Sequence, residues 1–158
     1  MITIEVNDAA VMAVLNRAAA QFDNMLPLYT DIGEILVKST KERFKKGESP
    51  EGVKWAPKSA ATLAKYAARK SNAVNTMPLW GPSGVLRENP SADPQPDQVT
   101  VGSNMIYAAM MQFGGTKAQF PHLWGNIPAR PFIGLSADDV NAIVEQTEDW
   151  LRGAFGQP

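Results

Sequence analysis

Proline and glycine punctuate this chain, and their placement limits its fold more than any other feature. Proline stops a helix interior and removes a backbone donor from a sheet, while glycine admits conformations that other residues avoid. Residues 47–57, Gly-Glu-Ser-Pro-Glu-Gly-Val-Lys-Trp-Ala-Pro, hold two glycines and two prolines and cannot continue a helix. From Asn75 to Pro96 five prolines fall among Gly, Ser and Asn, so that stretch is extended or looped. Regular structure has to fit between these breaks.

Ile2, Ile4 and Val6 alternate with Thr3 and Glu5, the period of a first strand with one buried face. Asn7 or Asp8 then caps an amphipathic helix over 9–24, carrying Val11, Val14, Leu15, Ala18, Phe22 and Met25. Pro27 opens a second helix, 28–46, with Leu28, Ile32, Ile35, Leu36 and Phe44 as its stripe and Gly47 as its stop. Ser59 caps a third helix through Leu63 and Ala67, which Arg69, Lys70, Ser71 and Asn72 close. A strand at 85–89 pairs with Val99-Thr100-Val101-Gly102 as a hairpin across the 93–97 turn. Ile106, Met110 and Phe113 fit a short helix ended by Gly114-Gly115, with Phe113 entering the core. A long loop follows over 116–128, then a strand at 132–135. Ser136 and Asp139 form a capping box for a last helix through Val140, Ile143, Val144, Trp150 and Leu151. The class is α+β: a small, mainly antiparallel sheet of first strand, central hairpin and late strand, with helices on one face.

At 158 residues, 44% hydrophobic and 20% charged, residues 1–158 are read as a single folded domain with looped stretches at 71–97 and 116–128. A net charge of −1 argues against a surface built throughout to attract nucleic acid. The chain has no cysteine, which excludes disulfides, thiolate metal sites and cysteine nucleophiles and suits a reducing compartment. The start has no basic, apolar and small-residue succession of a secretory signal, and no run of about 18 apolar residues could span a membrane, so the expectation is a soluble protein without membrane contact.

Catalytic signals are weak. His122, the single histidine, sits between aromatic neighbours, where packing or surface contact is the plainer role than catalysis. Gly81-Pro82-Ser83-Gly84 fails the Gly-x-Ser-x-Gly pattern at Val85, and no phosphate-cradling glycine loop occurs. Asp138-Asp139 and Glu148-Asp149 point about 100° apart on a helix and read as solvated surface rather than a metal site. The residues call for no cofactor and no enzyme.

Charge placement says more. Residues 38–70 hold ten Lys and Arg against three acids, leaving the rest acidic. Such asymmetry orients one subunit against the next, or faces a polyanion. Lys41, Arg43, Lys45 and Lys46 at the end of the second helix are either caps for its carbonyl end or part of an interface. Trp55, Trp80 and Trp124 lie in Pro/Gly-rich segments, where tryptophan serves as an interface anchor or as a cover for the core. The alternative is a nucleic-acid-binding module built on the basic 38–70 segment.

An ordered set of motifs adds to this. Phe44 to Pro57, as Phe-x-x-Gly-x-Ser-Pro-x-Gly-x-x-Trp-x-Pro, is followed by Thr62, Gly84-Val85-Leu86, Val101-Gly102-Ser103, Tyr107-Ala108, Gln112-Phe113-Gly114-Gly115 and Ile127-Pro128-Ala129-Arg130-Pro131-Phe132-Ile133-Gly134-Leu135-Ser136. Over roughly 30–152 the set resembles the phage virion morphogenesis, or tail completion, family of Mu-like tailed bacteriophages; 71–83 and 116–126 match no motif. The resemblance implies a structural virion protein of the tail-terminator or neck type. It would be made in the host bacterial cytoplasm and act at the tail end or the head–tail neck. Similar proteins form rings, commonly hexameric, around the channel through which DNA passes, so the implied partners are copies of itself and other tail or neck proteins. DNA would pass without sequence-specific binding. Two prolines hold Arg130 on a rigid platform, from which it can pair with a carboxylate inside the subunit or on a neighbour.

Overall fold

The structure, a computed structural model, describes residues 8–68, 75–81, 83–123 and 125–155. The expected strand at 2–6 and the residues that would close the third helix, 69–72, lie outside these. Two helices begin the described chain: α1, Ala9–Phe22, and α2, Leu26–Lys46, with Pro27 in the first turn of α2. Asp8 makes no side-chain cap on α1, contrary to expectation. At the other end of α2, Gly47 turns left-handed at φ 69° and donates its N–H to the Arg43 carbonyl at 2.7 Å. Leu28, Ile32, Gly33, Thr40, Arg43 and Phe44 are the buried positions of α2, a stripe that meets the hairpin on one side and the last helix on the other.

The third helix, α3, runs Ala60–Ala68, and Ser59 caps it as expected: its Oγ accepts the Thr62 N–H at 3.2 Å. The strand expected at 85–89 is instead one helical turn, α4, Val85–Glu88. Gly84, at φ 65°, bends the chain so that its carbonyl accepts the Arg87 and Glu88 N–H groups, both at 3.1 Å. Leu86 thereby drops into the core. The hairpin still forms, with its first strand moved along the chain: β1, Ser91–Pro94, pairs antiparallel with β2, Val99–Gly102, placing Ala92 opposite Val101.

After β2 comes α5, Ala108–Phe113. Its last residue corrects the sequence reading, since Phe113 is 77% exposed rather than in the core. Gly114 follows at φ 70°; a Cβ there would stand 2.6 Å from the Ala129 nitrogen, so both conformation and close approach demand glycine. Gly115 and Ile127 exchange N–H to O bonds at 2.9 and 2.8 Å, closing the 116–126 loop at its neck.

The strand expected at 132–135 is absent from the structure. Residues 130–133 form a strap with no neighbouring strand: the Arg130 N–H donates to the Met111 carbonyl at 2.8 Å, and side chains take up the backbone groups that follow. Gln112 Oε1 accepts the Phe132 and Ile133 N–H groups at 2.9 and 3.1 Å, and its Nε2 donates to the Ile133 carbonyl at 2.8 Å. Trp55 Nε1 donates to the Pro131 carbonyl at 2.8 Å, and Arg43 Nη1 to the Phe132 carbonyl at 3.2 Å. With its donors and acceptors so engaged, the strap gains nothing from joining a sheet. Its apolar residue, Phe132, is fully buried against Phe44, ring centroids 5.2 Å apart. Trp55, Leu86 and Ala108 complete this core. Burial of each phenylalanine contributes on the order of 2–3 kcal/mol.

The last helix, α6, spans Ala137–Phe155, and both arms of its capping box are made. Ser136 N–H reaches Asp139 Oδ2 at 2.8 Å and Asp139 N–H reaches Ser136 Oγ at 3.1 Å. It packs on α1 and α2. Helices around a two-stranded antiparallel sheet make an α+β fold.

Candidate functional site

Several residues expected at an interface lie inside the subunit. Arg43 is 5% exposed; its Nη2 meets the Asp139 carboxylate and also donates to Ser39 Oγ at 3.1 Å. Asp139, read from sequence as solvated surface, is correspondingly buried, because the cap that starts α6 also faces the end of α2. Burial pushes its carboxyl up, but hydrogen bonds from Ser39 and from the amide and hydroxyl of Ser136, with the Arg43 charge, outweigh that and hold it below the ordinary value. Trp55 is likewise interior, its ring edge-on to Phe44 with centroids 5.5 Å apart. Arg130 is 8% exposed and meets no carboxylate among the described residues: Nε donates to the Ala56 carbonyl at 2.8 Å and Nη2 to the Pro57 carbonyl at 2.9 Å. Within the subunit its described partners are thus two backbone oxygens of the 47–57 loop rather than a carboxylate.

A second group of candidates does converge on the surface. Lys41 and Lys45 of α2 line one groove with Trp80, Arg87 and residues Ser91, Ala92 and Pro94 of β1. Trp80 anchors itself by donating Nε1 to the Phe44 carbonyl at 2.7 Å, and the Arg87 guanidinium lies 4.1 Å over its ring. The basic cluster is partly neutralised within the subunit, since Lys45 pairs with Glu42 while Lys46 and Lys54 both face Glu48. Lys38 and Lys41 have no ion pair among the described residues. Trp124 lies outside the described residues, and His122 is exposed.

Two residues that sequence reasoning passed over organise the rest. Gln112 clamps the strap, and Lys58 ties down the 75–81 segment by donating to the Asn75 carbonyl and, at 2.6 Å, to the Trp80 carbonyl. Lys58 also stands 5.0 Å from the centre of the Tyr66 ring. Gln112 stood inside a recognisable motif, but Lys58 had only its charge to mark it. Lys58 and Arg130 line one cavity of about 410 Å³ between α3, α4, α5 and residues 126–130. Burial, and then the neighbouring Arg130 charge, lower the Lys58 pKa, and burial lowers that of Arg130. Among the described residues no group of three or more His, Asp or Glu could hold a metal, and no helix is long and apolar enough to cross a membrane.

These features define a small α+β packing module whose most prominent polar side chains tie its own loops together. The phage virion morphogenesis family matches residues 6–152, and the chain belongs to that family. The match begins well before the first motif quoted above. Mu-like prophage FluMu G protein 2 of Haemophilus influenzae is 28% identical over 153 residues, covering 96% of this chain and 97% of the relative. Putative capsid assembly protein G of Escherichia phage Mu is 33% identical over 123 residues, 77% of this chain and 76% of the relative. No solved structure matches.

Proposed function

We propose that the chain is a structural subunit of a tailed-phage virion, made in the host cytoplasm, that completes the tail or closes the head–tail neck as a ring of identical copies and performs no reaction. The observation that carries this is the family match over nearly the whole chain, joined by the assembly role named for the phage Mu relative. Surface charge supports head-to-tail contact. Among the described residues Lys38 is exposed on α2 without an ion pair, and Asp138 and Glu145 are likewise exposed and unpaired on α6, whereas Lys45, Lys46 and Lys54 face Glu42 and Glu48, and Glu148 and Asp149 face Arg152. A heterologous contact between such faces closes into a ring when its rotation permits. The nucleic-acid reading loses support, because Arg43 is buried and three of the other cations already face carboxylates.

Deleting the gene tests the proposal. Particles lacking joined, infectious tails, restored by the gene supplied in trans, are the expected result; full infectious particles from the deletion would overturn it.

A further inference from the structure

The cavity lined by Lys58 and Arg130 has a charge imbalance that no described residue corrects. Of the sixteen acids in the sequence, all but Glu5 lie among the described residues, and none lines the cavity. Positions 69–74, 82 and 124 carry no acid in the sequence either. Both cations are held by neutral partners: four backbone carbonyls and the Tyr66 ring. Arg130 Nη1 has no acceptor among the described residues, and Arg130 lines the cavity. Leu79, Val85, Met111 and Ile127 contribute apolar lining to the same cavity.

We propose that this cavity is a carboxylate-binding site that takes an acidic group on an apolar stem from a neighbouring polypeptide, the anion meeting Arg130 and Lys58 and the stem lying on Leu79, Val85, Met111 and Ile127. A volume of about 410 Å³ admits such a group with room to spare and falls within the range of small-ligand pockets. Depressed pKa values on both cations agree with a missing counter-charge. A nucleic-acid strand fits less well, because its repeated phosphates need a track of cations. Here Lys41, Lys45 and Arg87 line a different groove. The ligand chemistry stands without the virion reading; only the assignment to a neighbouring polypeptide rests on it.

The probe is 3-phenylpropionate, titrated into the full chain and followed by backbone amide NMR. Saturable shifts at Leu79, Val85, Met111 and Ile127 are expected, with 3-phenylpropionamide and the Lys58→Gln variant each binding about tenfold more weakly. Lys58→Arg should retain binding. Because Lys58 also tethers a loop, a second variant, Ser83→Trp, occludes the mouth from an exposed position and should abolish binding with the remaining spectrum unchanged. Equal binding of acid and amide, tighter binding of the dinucleotide pTpT, or binding seen only in Glu5→Gln would overturn the site. The source is read separately: phage carrying Ser83→Trp should lose infectious particles while the purified variant stays folded. A wild-type titre with probe binding abolished would overturn the neighbouring polypeptide as the source and leave a free small acid as the ligand.

Discussion

The Arg43 and Asp139 side chains, 6% and 5% exposed, show how a single residue here serves two elements. Asp139 accepts the Ser136 amide to start α6 and the Arg43 guanidinium to hold α6 on α2. Asp139→Asn keeps the size but leaves a buried guanidinium without its counter-charge, which should destabilise the fold by about 3–5 kcal/mol in denaturant titration. The pH dependence has a definite sign. The folded carboxyl titrates below the unfolded one, whose ordinary value is 3.8, so its contribution is fully present above that value. It is lost as pH falls through the lower folded value. The gap in stability between wild type and Asp139→Asn should therefore be constant near neutrality and narrow in acid. The capping box was legible in the sequence because its spacing is local. The partner across the fold was not, since Arg43 and Asp139 are 96 positions apart.

Elements with their own period were read well, and those held by tertiary contacts were not. α2 and α6 carry apolar stripes and end signals that propensity and spacing reveal. β1, Ser-Ala-Asp-Pro, has no β-branched residue, and the apolar Val85-Leu86 pair drew the strand assignment away from it. What secures the hairpin is α2: a Cβ on Gly33 would stand 2.7 Å from Ala92 Cβ and 3.1 Å from Val99 Cγ2. Gly33→Ala should thus lower stability by about 1–3 kcal/mol despite the better helix propensity of alanine, and adding Ala92→Gly should recover part of it. Thermal melts of the two single variants and the double variant check the coupling; strictly additive losses would contradict the packing described. The strap at 130–133 was misread because Phe132, Ile133 and Leu135 look like a strand, and side chains acting as ladder partners leave no period in the sequence.

For the whole molecule, the sequence disclosed the charge asymmetry but not how much of it is already consumed. Buried Arg43 and the Glu48 pairs shrink the basic face, and Arg152 takes up Glu148 and Asp149 on α6, leaving Asp138 and Glu145 beside exposed Val140 and Val144. The candidate cavity was invisible beforehand, since its parts come from four separated segments. If opposite faces of successive copies meet, self-association of purified protein should weaken as ionic strength rises toward about 1 M, where the Debye length falls to about 3 Å. Light scattering across a salt series reads this, and association that strengthens with salt would assign the contact to the apolar residues instead.

The Gln112 clamp also bears on motion. Phe132 and Ile133 donate to the same Oε1 atom, so one turn of a single side chain releases both amides at once. Deuterium should then enter those two positions at a common rate, slower than surface amides and faster than the middle of α2, marking the strap as the latch whose opening precedes global unfolding.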